Sequence, residues 1–314
     1  MKRIAAVSPV WGCSVEDLRA LAREAETGGF EAIFSPEVPP YSAIANAQVF
    51  AEATSKIKVG TWITNIYMRK PVICAAEALT VQEVSGGRMV LGLGVSHKPV
   101  NDRYGIDMGD PIDSMRSYVA SVKSIADGSS PLLTIKRQLP TIPLYTAVLT
   151  EKAAELAGEV ADGIMPYMAT LDHVKSLIKS VKSGAEKNSR SPSSIDITNG
   201  IPSFISDDLE AARTAAKRGL SGYARFPFYQ RLIKNLGFGD VVEKVKSGVN
   251  PAEAFTDELV DAVALVGPAE RCRERLAAYR EAGVQLPIIV PNPVGKQSNV
   301  EVMKKTVETF KDHN

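Results

Sequence analysis

The sequence predicts an α/β chain folded as a single (β/α)8 TIM barrel spanning 1–314, with a helical insertion between its seventh and eighth strands. Three observations carry this. Eight short β-rich runs alternate with helical stretches along 314 residues. The alternation breaks once, over 220–265, where the pattern reads helical and holds no strand. The first strand is followed by 8-SPVWGCS-14, not by the Gly-rich turn that a doubly wound open sheet usually carries.

The elements follow in order. Residues 4–7 read as the first strand. Ser14 then stands as an N-cap, and Val15, Leu18, Leu21, Ala22 and Ala25 make a helical stripe closed by Gly28-Gly29. Residues 32–34 form the second strand, and an Ala-rich helix follows near 42–55. The third strand is 57–62, the next helix 70–85, closed by Gly86-Gly87. The fourth strand, 89–93, precedes a helix near 111–126. Strands at 142–146, 163–165 and 195–198 alternate with helices at 151–161, 171–187 and 207–219. Gly267-Pro268 opens a further helix, 286–291 is the eighth strand, and Ser298-x-x-Glu301 is a capping box for the last helix.

Composition narrows the function. The chain is 45% hydrophobic and 23% charged, with a formal net charge of +1, and carries no basic block of the kind nucleic acid selects. No apolar run reaches membrane-spanning length. Met1-Lys2-Arg3 passes directly into the first strand, too short a start for a secretory leader. Cys13, Cys74 and Cys272 are odd in number and lack a CxxC spacing, which fits a reducing, cytoplasmic setting. His97, His173 and His313 are far apart and form no metal motif. Walker A and GxGxxG patterns are absent: Gly92-x-Gly94 is followed by His97 where the third glycine belongs.

Barrel chemistry sits at the C-terminal ends of the strands. That selects 8–11, 35–37, 62–65, 94–98, 146–150, 165–167 and 291–293. His97 stands in this set. So does Glu37, whose carboxylate should face the mouth because it follows Ser35-Pro36 at the end of the second strand.

Four stretches together resemble the luciferase-like monooxygenase superfamily: 57-IKVGTWITNIYMRKP-71, 85-SGGRMVLGLGVS-96, 143-PLYTAVLTEKAAELAGEVADGIMP-166 and 259-LVDAVALVGPAERCRERLAAYREAGV-284. The likeness covers nearly the whole chain. Thr64-Asn65 followed by Arg69-x-Pro71 most resembles the branch that uses coenzyme F420, a deazaflavin, in place of FMN.

The resemblance implies a flavin-like ring in the barrel mouth, an insertion over it, and a homodimer. It puts Trp62-Ile63 where the third strand bends through a non-prolyl cis peptide behind the ring. It makes Glu37, Thr64 and Asn65 polar contacts of the cofactor, with Ser96 beside them. It makes Ala147 a cofactor contact and matches Leu149 and Thr150 to a phosphate-binding turn, where a helix N-terminus attracts an anion, although Glu151 there would oppose one unless it points away. Met165-Pro166 flank the same pocket. Gly92 and Gly94 read both as a tight strand-to-loop turn and as places where backbone approaches a planar ring.

His97 and Glu37 are the candidates for catalysis, and His97 reads equally as a structural or cofactor-contacting histidine. Some relatives carry a His and a Glu where this chain has Val38 and Val95, which argues against the same substrate chemistry. His97 stands two residues further on, and an unperturbed pKa near 6.5 suits acid–base work around neutrality. Tyr41, Tyr104 and Tyr167 are candidates for the edge of a substrate pocket. Arg225, Phe226, Phe228 and Tyr229 of the insertion suit an apolar or anionic substrate, or packing on the rim. The function expected is hydride transfer between F420 and a small organic substrate. The alternatives are an FMN-dependent monooxygenase of the same superfamily and a flavin-binding protein without turnover; a metal-dependent barrel hydrolase fits less well.

Overall fold

The computed structural model describes residues 3–131 and 137–311. Among the described residues ten strands form: β1 (Ala5–Val7), β2 (Ala32–Ser35), β3 (Lys58–Thr61), β4 (Thr64–Asn65), β5 (Met89–Gly94), β6 (Leu144–Ala147), β7 (Gly163–Met165), β8 (Asp196–Ile205), β9 (Leu265–Gly267) and β10 (Leu286–Pro291). Between them run α1 (Val15–Thr27), α2 (Ala43–Ala53), α3 (Pro71–Val84), α4 (Lys98–Arg103), α5 (Pro111–Ala126), α6 (Glu151–Val160) and α7 (Leu171–Lys187). Then come α8 (Leu209–Leu220), α9 (Pro227–Asn235), α10 (Gly239–Lys246), α11 (Pro251–Ala254), α12 (Asp257–Val263), α13 (Ala269–Glu281) and α14 (Asn299–Phe310).

The sheet is parallel and runs β10-β1-β2-β3-β5-β6-β7-β8, and β10 pairs with β8 to close the barrel. β4 continues the line of β3 beyond Trp62 and pairs with β5. Closure leaves no free edge among the eight strands of the ring, which is why each can be nearly all apolar.

Strand alternation sets two cores. Ala5 and Val7, Ala32 and Phe34, Val90, Tyr145, Met165, Leu286 and Ile288 fill the barrel interior. The residues between them, such as Ala6, Ile33, Leu91 and Ile289, pack outward with Leu21, Phe50, Ala75 and Tyr279 of the helices. Arg3 closes the N-terminal end, donating to Glu31 and to Asp196 at 2.7 Å each. Helix starts follow the local chemistry: Ser14 with Asp17 and Ser298 with Glu301 both form capping boxes.

Three elements differ from expectation. β8 does not stop at Thr198 but runs through Gly200 and Pro202 to Ile205. Proline is tolerated because N–H groups two residues apart point the same way. Gly200 N–H spends that direction on Pro166 O at 2.8 Å, and at Pro202 β7 has already ended. β9 follows the helices of 220–265 directly, pairing Leu265 with Ser203 of β8. α4 is a short helix on Lys98-Pro99 that the sequence did not announce. The helices after β8 have their own core, Leu220, Leu232, Ile233, Phe255, Leu259 and Val260, seated on Phe204 and Val266. Among the described residues no helix is long and apolar enough to cross a membrane.

Candidate functional site

A cleft of about 1610 Å3 opens at the C-terminal ends of the strands. The loop after β2 contributes Glu37, the break between β3 and β4 contributes Trp62 and Ile63, and the end of β5 contributes Gly94, Ser96 and His97. Ala147, Leu149 and Thr150 reach it from β6, and Met165 and Tyr167 from β7. Four of the expected residues do not line it: Thr64, Asn65, Gly92 and Pro166.

Thr64 and Asn65 are buried behind it, and the Thr64 hydroxyl has no partner. The Pro166 carbonyl is spent on β8. Gly92 faces the barrel interior, where a Cβ would lie 2.1 Å from the Thr61 carbonyl oxygen and 2.7 Å from Met165 Sδ. The missing side chain at Gly92 serves packing between strands. At Gly94 a Cβ would meet the Ile63 side chain at 2.4 Å. The bond between Trp62 and Ile63 is cis.

Glu37 is placed at the cleft, but its carboxylate is committed. One oxygen accepts from Arg69 Nη1 at 2.6 Å and the other from Asn65 N at 3.0 Å. Both oxygens of this candidate for catalysis are thus engaged within the protein. Asn65 extends the network: its Nδ2 donates to Asn101 Oδ1 at 2.9 Å, and Asn101 Nδ2 donates to the Val95 carbonyl at 3.0 Å. Arg69 also holds Glu77 and the Ser42 hydroxyl. Arg69 and Asn101 were missed as site builders. An arginine eight residues from a carboxylate on the next helix gives no periodic signal.

Ser96 takes the left-handed region, with φ 55°, and turns the chain from β5 into α4, whose N-cap is His97. The imidazole lies against rings from the segment after α8. It stacks on Phe226 at 4.4 Å between centroids and 7° between planes. Tyr229 and Tyr223 flank it, and Tyr223 touches Tyr167, which packs edge-on against Trp62 at 5.0 Å. Nδ1 of His97 is buried without a partner. Burial pushes its pKa down to about 4, because an apolar surround disfavours the cation. At neutral pH the ring is uncharged, which corrects the expectation of an unperturbed group near 6.5.

Another part of the cleft is built by helix starts. Thr150 caps α6, its hydroxyl accepting from Ala153 N at 3.2 Å. Glu151 is held by the Ser176 hydroxyl of α7. Beneath lies Thr146, 2% exposed, with its hydroxyl unpaired. A buried hydroxyl without a partner costs about 1–3 kcal/mol, so this corner is short of a hydrogen-bonding group that a ligand can supply. His173 lines the same corner, its Nδ1 also buried without a partner and its pKa lowered by burial.

Of the other candidates, Tyr167, Arg225, Phe226, Phe228 and Tyr229 line the cleft, while Tyr41 and Tyr104 do not. His313 lies outside the described residues.

A closed parallel barrel with its cleft at the C-terminal mouth defines the class: a TIM barrel with its candidate site where such barrels carry theirs. Within that class the chain belongs to the luciferase-like monooxygenase family, whose model matches residues 6–286. A 5,10-methylenetetrahydromethanopterin reductase of Methanolobus tindarius is 24% identical over 306 residues, covering 91% of this chain and 94% of the relative. Among solved structures, the coenzyme F420-dependent tetrahydromethanopterin reductase of Methanopyrus kandleri superposes with a TM-score of 0.81 at 19% identity, over 99% of both chains. An F420-dependent secondary alcohol dehydrogenase superposes with a TM-score of 0.75, also at 19% identity, over 98% of both.

Proposed function

We propose that this chain is an F420-dependent oxidoreductase acting on a small organic substrate. The observation that carries it is that the N-terminus of α6 opens into the same cleft as Trp62, Ile63 and Gly94. One cleft thus offers a wall for a planar ring and a corner for a phosphate. The names of the full-length relatives support the choice of F420.

When bound, the deazaflavin supplies or takes up a hydride. The chain's own residues do the rest. Leu149 and Thr150, with the open Thr146 hydroxyl, hold the phosphate, and the Ser176 bond keeps the Glu151 carboxylate engaged on α7. Trp62, Ile63, Ala147 and Met165 bound the ring, and Ser96 supplies a polar edge. Glu37, clamped by Arg69, fixes Asn65 and the turn that Thr64 begins. Pro166 and Gly92 set the strand ends from behind. His97, neutral and at the cleft, gives a hydrogen bond to the substrate. The insertion over 220–265 covers the mouth and excludes water with its aromatic rings. The family likeness supports a homodimer, and the free cysteines agree with a reducing, cytoplasmic setting.

The test is a pair of titrations, with F420 and with FMN, following tryptophan fluorescence. The chain has two tryptophans, so a Trp11→Phe background isolates Trp62. Quenching by F420 at micromolar concentration without an FMN response is the expected result. A response to FMN alone would move the chain to the oxygen-using branch. Silence from both, confirmed by calorimetry, would remove the cofactor assignment.

A further inference from the structure

We propose that Phe226 is a positioning residue for His97: the helical insertion, and not the barrel, holds the imidazole plane at the cleft. The inference rests on the reading of His97 as a group that meets substrate.

The barrel gives His97 a backbone position and little else. As N-cap of α4 its carbonyl accepts from Val100 N and Asn101 N, each at 2.9 Å. Its side chain caps nothing, and Nδ1 has no partner. A ring held by hydrogen bonds would show at least one. This ring is oriented by contact, and the nearest of the aromatic rings around it is the parallel face of Phe226.

Phe226 is itself well held. It stands between the turn Ser221–Arg225 and α9. Its N–H donates to the Tyr223 carbonyl at 2.9 Å, and its carbonyl accepts from Gln230 N at 2.9 Å. Gln230 Nε2 returns to the Ala224 carbonyl at 2.9 Å, closing the loop. Tyr229 at 5.4 Å and Tyr223 at 6.5 Å keep the imidazole from tilting off the stack.

The arrangement also selects a tautomer. A buried N–H without an acceptor is rarer in proteins than a buried bare acceptor. Nδ1 therefore carries the lone pair and Nε2 the hydrogen, assigned from the surroundings. That leaves Nε2–H as the donor available to a ligand.

The surroundings keep the ring uncharged, with a pKa near 4 whose cause is burial alone. The groups packed on it are phenols, Tyr223 and Tyr229, which burial pushes upward and keeps neutral, as it does Tyr167 behind them. On its own helix, Lys98 pairs with Asp102 at 2.7 Å, and Arg103 closes the last turn. Arg225, beside Phe226, is exposed. Across the cleft, Glu37 is paired with Arg69.

The test is a histidine NMR titration of the full chain without cofactor, with His97 assigned by a His97→Gln variant. The chain has three histidines, so the spectrum is tractable. Phe226→Ala should raise the His97 midpoint by more than one pH unit, towards the ordinary value. Phe226→Leu should raise it less, and Phe226→Tyr, which keeps the ring, should leave it near wild type. If Phe226→Ala does not fold, Phe226→Leu decides, with circular dichroism confirming the fold. An unchanged midpoint in a folded Phe226→Ala or Phe226→Leu variant overturns the proposal, and so does failure of Phe226→Tyr to hold the wild-type value. The readout needs no F420, so a wrong cofactor assignment would leave it intact.

Discussion

Arg69 donates to Glu37 at 2.6 Å, joining the loop before α3 to the loop after β2 beside the cleft. The pair is mostly dry, with side-chain exposures of 16% and 5%. Removing one partner of such a pair strands the other charge, at roughly 3–5 kcal/mol. Arg69→Met should therefore lower stability by about 3 kcal/mol. Glu37→Gln keeps an acceptor for Asn65 N and should cost less. Urea denaturation of both variants and of the double variant measures the coupling. A coupling near zero would mean the pair is solvated, against the geometry described.

The neutral His97 makes stability depend on pH in one direction. Unfolded, its pKa is about 6.5; folded, it is about 4. Between those values the unfolded chain takes up a proton that the folded chain refuses. The contribution is present above pH 6.5 and is lost as pH falls towards 4. Allowing for partial exposure, its size is on the order of 2 kcal/mol. His173 is lowered too and acts in the same direction. His97→Gln should flatten the fall in urea midpoint between pH 6.5 and 4.5 without abolishing it. An equally steep profile in the variant would assign the effect elsewhere.

Gly92 and Gly94 should respond differently to alanine. At Gly92 the obstacle is a backbone carbonyl, that of Thr61, which cannot step aside. At Gly94 it is Cγ1 and Cδ1 of the Ile63 side chain, which can rotate. Gly92→Ala should cost about 3 kcal/mol or more, and Gly94→Ala about 1 kcal/mol. Gly94→Ala should weaken F420 binding more than its stability loss implies, because Ile63 lines the cleft. Thermal melts and the fluorescence titration separate the two effects. Equal losses for the two variants would count against the packing described.

The Thr146 hydroxyl is buried and unpaired in the protein alone. Thr146→Val removes an unsatisfied group at nearly constant shape, so the protein should keep its stability or gain about 1 kcal/mol. If the hydroxyl serves a bound phosphate, F420 affinity should fall about tenfold. A variant that binds F420 as wild type does would take Thr146 out of the phosphate corner.

Much of the barrel was readable because its signals are local. Short apolar runs, helix stripes and caps at Ser14 and Ser298 depend on neighbours in sequence, and the structure places strands and helices there. β8 was read too short because Gly200 and Pro202 are poor strand residues on their own. Only the end of β7 and the arrival of β9 make them acceptable. The strand-end rule brought Glu37, Trp62, Gly94, His97 and Thr150 to one cleft. It could not say which of them are free.

The sequence by itself determined the barrel, the order of most of its elements and many of the residues at its mouth, because each rests on spacing within one segment. Only the tertiary structure decided that the Glu37 carboxylate is spent on Arg69 and Asn65, 32 and 28 residues away. It alone decided that His97 lies under Phe226, far along the chain. Charge state and ring orientation depend on what is packed against a group and how much water is left there, and neither is a property of its own segment.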